Sequence, residues 1–165
     1  MNLQELSLQV RRIEGGLSSE LTAILDDYKD IILIGNGGSN ALCSHIAEDY
    51  SKFLNKRTLT FSDAARLTCY INDYGMEQAY VQFLKEYALE KTLAILVSSS
   101  GESLNVVNCA KYCRDQKIDM LLFSGFSKDN HLRRFAPYAK MEYWVDSKDY
   151  GVVEISHEVL LHSVI

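Results

Sequence analysis

The chain has 165 residues, 47% of them apolar, and a formal net charge of −5. The length suits a single domain (1–165) with a real core. The acidic balance excludes a general nucleic-acid binder, which needs a basic surface to neutralise phosphates, but leaves room for a small anion held by backbone N–H groups.

Residues 1–30 read as an N-terminal helical segment. Leu3, Leu6, Val10 and Ile13 form one stripe, Gly15-Gly16 breaks it, and Leu17 to Leu25 resumes it. Pattern alone suits packing on its own domain and packing on another subunit equally well. Ile31 to Ile34 is short and apolar enough for a buried strand. Gly35-Asn36-Gly37-Gly38 then turns sharply, and a helix follows from Ser39 to Phe53, with Ser39 or Asn40 as its cap. Arg57 to Phe61 is a second strand. Ser62-Asp63 precedes a helix from Ala64 to Ile71, Asn72-Asp73-Tyr74-Gly75 reads as a loop, and Glu77 to Tyr87 is helical again.

Leu93 to Val97 is a third strand, followed at once by Ser98-Ser99-Ser100-Gly101-Glu102-Ser103 and a helix from Asn105 to Gln116. Ile118 to Phe123 is a fourth strand, with a loop from Ser124 to Asn130 at its end. His131 to Phe135 forms a short helix before Pro137. Met141 to Val145 is the last strand and Val152 to Ile165 the last helix. Strands alternating with helices predict an α/β fold: a parallel sheet with helices on both faces, in three α-β-α layers of flavodoxin-like type. Ligands of such sheets bind beyond the carboxyl ends of the strands, where the glycine loop and the serine loop both lie.

No apolar run approaches the ~20 residues of a membrane span, and the N-terminus lacks the apolar centre of a secretory leader. Four cysteines (Cys43, Cys69, Cys109, Cys113) show no C-x-x-C spacing. They read as reduced thiols of a cytoplasmic protein.

Three constellations could carry chemistry. The glycine loop has Asn40 where a dinucleotide fingerprint needs its third glycine, and it lacks the lysine of a P-loop. Taken alone, it fits a tight turn as well as a ligand site. The serine loop is more specific. Several hydroxyls beside a helix start make a neutral anion cradle, whereas N-capping accounts for one of them. The third set is ionisable: His45 and Asp49 share one helix face, and Glu154, Glu158 and His162 form a stripe on another. Such residues suit a metal site or an acid–base pair, although spacing alone favours ordinary surface pairs.

The order of GNGGS after a strand, SDA near residue 63, NDYG, SSSGES and E-x-x-H-x-x-x-x-H in the last helix resembles the sugar isomerase (SIS) domain family, from about Ile31 onward, and within it phosphoheptose isomerases. The resemblance implies a five-stranded parallel sheet and a homotetramer, or a dimer, with active sites between subunits. It implies a sugar phosphate substrate, sedoheptulose 7-phosphate, isomerised through an enediol for bacterial surface polysaccharide. Phosphate binding then falls on Ser39, Ser98, Ser99, Ser100 and Ser103, with Asn36 and Gly37 beside them, and Asp73 borders the site. Asp49, or its neighbour Glu48, would be the base and His162 the partner acid. Some family members bind zinc, and the matching positions are His45, Asp49, Glu154 and His162. Asp49 replaces the family's Glu, and Glu154 its Gln. A module of the same family that binds a sugar phosphate or a protein partner without catalysis is the alternative.

Overall fold

Five runs of β-favouring residues align side by side. A computed structural model describes residues 1–165. The strands β1 (Asp30–Ile34), β2 (Arg57–Thr60), β3 (Thr92–Ser98), β4 (Asp119–Gly125) and β5 (Met141–Val145) form one sheet in the order β2-β1-β3-β4-β5. Every pairing is parallel. The strand order reverses between β1 and β3. This is the switch point where such sheets open a crevice for ligands.

Each central strand is buried on both faces, and its alternate residues feed two separate cores. Ile31, Leu33, Ile95 and Phe123 face α2 (Ser18–Asp26), α3 (Gly37–Phe53) and α7 (Tyr150–His162). Ile32, Ile34, Leu96 and Leu122 face α5 (Ala79–Tyr87) and α6 (Leu104–Gln116). The period-two alternation of a strand makes these two layers. The predicted three-layer α-β-α architecture with a five-stranded parallel sheet is therefore what the chain adopts. Its functional consequence is that α3 and α7 lie on one face, side by side.

Local chemistry sets the ends of the elements. Asn2 caps α1 (Leu3–Arg12), its Oδ1 accepting from the N–H groups of Gln4 and Glu5. Gly16 adopts φ +139° and separates α1 from α2 through a single π turn, as the Gly15-Gly16 break predicts. Asp149 caps α7 through the N–H groups of Gly151 and Val152. All four cysteines are free thiols, and three are buried. Burial pushes the thiol of Cys113 up to about 12, which keeps it protonated and unreactive. No helix is long and apolar enough to cross a membrane.

Several boundaries differ from the sequence expectation. α4 runs from Ala64 to Tyr74, so Asn72 and Asp73 are helical rather than in a loop. The i,i+4 pairs Tyr70–Tyr74 and Cys69–Asp73 sustain that last turn, and Gly75, at φ +78°, ends it. β4 extends to Gly125 because Ser124 and Gly125 pair with Trp144 and Val145 of β5. The short helix is a 3₁₀ turn from Leu132 to Tyr138 that contains Pro137. The last helix begins at Tyr150, behind its Asp149 cap, and stops at His162 instead of reaching Ile165. α3 starts at Gly37, which puts Ser39 and Asn40 inside its first turn rather than at the cap.

Candidate active site

The loop after β1 and the loop after β3 meet at the switch point. Gly35 is the closest approach: a Cβ there would sit 2.9 Å from the backbone carbon and oxygen of Ser39. Tyr80, from the opposite layer, donates its hydroxyl to the Gly35 carbonyl at 3.0 Å. Gly37 holds φ +52°, a left-handed conformation that glycine adopts without strain. Asn36 and Asn105 exchange two side-chain hydrogen bonds, each of 2.9 Å, which tie the β1–α3 loop to the first turn of α6. Because the Gly35 contact is with backbone, it cannot yield. Gly35→Ala is expected to cost about 1–3 kcal/mol of stability. At roughly 2–4 °C per kcal/mol, thermal unfolding should then show a clear fall in Tm. An unchanged Tm would contradict the close approach.

The serine loop faces that turn. Ser98 Oγ donates to Ser103 Oγ at 3.2 Å, and Ser99 Oγ lies 3.4 Å from Ser39 Oγ. Ser100 Oγ accepts from the Glu102 N–H, which shapes the bend at Gly101. Asn36, Gly37, Ser39 and the loop serines 98, 99, 100 and 103 line one cavity of about 250 Å³. Gly38, Tyr150 and Glu154 complete its walls. Neither helix that starts at this cavity is capped by the residue before it: Asn36 and Ser103 make no side-chain bond to first-turn N–H groups, although Asn105 Oδ1 accepts from the Val106 N–H inside α6. Simple capping therefore does not explain these serines. Two open helix N-termini and five hydroxyls converge on a space suited to an anion.

The ionisable residues gather elsewhere on α3 and α7. Asp49 Oδ2 lies 3.6 Å from His45 Nε2 and 3.3 Å from His162 Nε2, and the two imidazole centroids are 5.0 Å apart. Their donor atoms all fall within 4.8 Å of one another. His162 Nδ1 donates to the Glu158 carbonyl at 3.0 Å, because a carbonyl can only accept. In a neutral ring this leaves the Nε2 lone pair facing a carboxylate oxygen. That arrangement is favourable when a proton or a metal cation lies between them. Two imidazoles and a carboxylate are also a donor set that suits zinc, so the residues fit the cation.

Not every predicted residue joins these two groups. Glu154 reaches the serine cavity, with Oε1 3.5 Å from Ser99 Oγ, and is not part of the His45–Asp49–His162 cluster. It lies eight residues before His162, about 12 Å along the α7 axis. Glu48 is exposed and outside the cluster, which leaves Asp49 as the carboxylate between the histidines. Asp73 is exposed on the last turn of α4, bonded to Asn72 and Cys69, and does not line the cavity.

His157, within the terminal-helix motif, is fully buried and donates Nε2–H to the Ser124 carbonyl at 3.2 Å. Burial pulls its pKa down to about 4, so it is neutral and structural. Sequence reasoning missed Tyr150 and Asn105. Asn105 carried a faint signal as a second amide beside the serine loop, and Tyr150 carried none.

No family model matches the chain. Curated relatives do. A phosphoheptose isomerase of Fusobacterium nucleatum is 28% identical over 155 residues, covering 90% of this chain and 77% of that protein. A phosphoheptose isomerase of Aneurinibacillus thermoaerophilus is 28% identical over 174 residues, covering 99% and 85%. The solved phosphoheptose isomerase of Neisseria gonorrhoeae shares the fold, with a TM-score of 0.81 at 18% identity over 98% of this chain and 91% of that one. The chain is similar in sequence to phosphoheptose isomerases and shares the fold of a solved one.

Proposed function

We propose that the protein is an aldose–ketose isomerase of a sugar phosphate, and that the sugar is sedoheptulose 7-phosphate, converted to D-glycero-D-manno-heptose 7-phosphate. One observation carries this reading: an anion cradle and an acid–base cluster share the rigid helix α3. Ser39 lies in the first turn, with His45 about 9 Å and Asp49 about 15 Å farther along the axis. A substrate that engages both ends must be long. Its phosphate must also lie far from its reacting carbons, as in a seven-carbon 7-phosphate. The similarity to named phosphoheptose isomerases supports the same substrate.

The chemistry follows from the residue types. The hydroxyls of Ser39, Ser98, Ser99, Ser100 and Ser103, with the open N-termini of α3 and α6, hold the phosphate. That binding energy positions the other end of the sugar. Asp49 takes a proton from C1 while His162 gives one to the carbonyl oxygen on C2, which forms the enediol. Asp49 then returns a proton to C2, and His162 accepts the proton of the C1 hydroxyl, which leaves the aldehyde. His45, Asp49 and His162 would hold zinc, whose chemistry when bound is to polarise substrate oxygens. Asp49 cannot serve fully as ligand and as base, so these roles compete.

The cluster is open on one side, the His45 side chain being 53% exposed. That suits a site completed by a second copy of the chain, as in a homotetramer. The working location would be the cytoplasm, and the product a precursor for surface polysaccharide. The test is incubation with sedoheptulose 7-phosphate, with and without added zinc. The heptose 7-phosphate should accumulate, and absence of turnover under both conditions would overturn the proposal.

A further inference from the structure

The cavity that would take a phosphate already contains a negative charge. Glu154 is the only charged side chain among its walls. Its carboxylate lies so close over Gly38 that a Cβ there would come within 2.8 Å of both oxygens. Oε1 also reaches Ser99 Oγ at 3.5 Å. Gly38 belongs to the first turn of α3, whose preceding residue, Asn36, makes no side-chain cap. By contrast, α1, α4 and α7 are capped by Asn2, Asp63 and Asp149. The carboxylate therefore supplies the negative charge that an open helix N-terminus favours.

A phosphate would need the space beside Gly38 and the same Ser99 hydroxyl. It would also bring like charges into one small space with no lysine or arginine in its walls. We propose that Glu154 is an internal competitor for the phosphate. It occupies the cradle in the free protein and must leave it when a phosphosugar enters. The consequence is selectivity. A bare phosphate offers no further contacts with which to displace the carboxylate, whereas a whole phosphosugar brings its hydroxyl chain as well. Glu154 would thus hold the site against free phosphate and admit the complete substrate.

This inference rests on the phosphate-cradle reading, and one set of titrations separates the two. Binding of inorganic phosphate and of sulfate is measured by calorimetry for the wild type, Glu154→Gln and Glu154→Gln/Ser99→Ala, with the melting temperature of each recorded. Glutamine keeps the size and removes the charge. Glu154→Gln should bind both anions tighter than the wild type by about tenfold or more, because a like-charge contact is relieved. Adding Ser99→Ala should reverse much of the gain. A merely structural Glu154 would lower the melting temperature without raising affinity. If the wild type binds and Glu154→Gln binds equally or more weakly, the cradle stands and the competitor role is overturned. If no variant binds either anion, the cradle reading falls and the inference falls with it.

Discussion

Asp49→Asn is expected to reduce turnover of sedoheptulose 7-phosphate by about 10²–10⁴-fold, the range that a positioned general base supplies. Asparagine keeps the shape of the side chain and cannot take a proton. His162→Ala should fall in the same range, since its Nε2 lies 3.3 Å from the same carboxylate oxygen. The double variant should be scarcely worse than either single one, because groups acting as a unit are not additive. Asp49→Glu should retain turnover, because it keeps a carboxylate that can take the proton. The loss should appear in kcat with a folded protein, which the melting temperature checks: Asn is nearly isosteric with Asp49, which is 16% exposed, and His162 is 33% exposed. Metal content gives an independent readout, because Asp49→Asn also removes the only carboxylate of the three-residue donor set. Wild-type turnover in Asp49→Asn would remove Asp49 from the chemistry.

The second large effect concerns stability in mild acid. His157 is fully buried between Phe123 and Tyr143, with ring centroids at 5.5 and 5.8 Å. Its Nδ1 has no partner, so the site offers nothing to stabilise a second proton. Burial lowers its pKa to about 4 in the folded chain, against an ordinary value of 6.5. Between these values the unfolded chain binds a proton that the folded chain refuses, so stability rises with pH across the window. The contribution is complete above about pH 6.5 and is lost as the pH falls towards 4. The shift corresponds to about 3 kcal/mol. Chemical denaturation at several pH values should show this slope in the wild type. His157→Gln keeps an N–H for the Ser124 carbonyl but cannot titrate, and it should lose that part of the slope. Parallel curves for the two proteins would show that His157 is not the acid-sensitive group.

The sequence alone determined the layer order, because alternating strands and helices with apolar runs at β1, β3 and β4 leave few other ways to bury both sheet faces. It also located the cavity, since glycine and serine loops at strand ends lie on one side of any parallel sheet. Element ends were legible only where a cap or a glycine marked them, as at Gly16 and Asp149. Asn72 and Asp73 misled because their preference for turns is weaker than the i,i+4 contacts that keep α4 wound through Tyr74. Spacing along one helix could not show which partner helix a residue meets. His45 and Asp49 read equally well as a surface pair until α7 packed beside α3 and brought His162 to the same oxygen. Likewise, a stripe on α7 could not say that Glu154 and His162 serve different places. Two turns of rise separate them, and only the packing of α7 against both the serine loop and α3 decides that Glu154 turns to the serine cavity while His162 turns to Asp49.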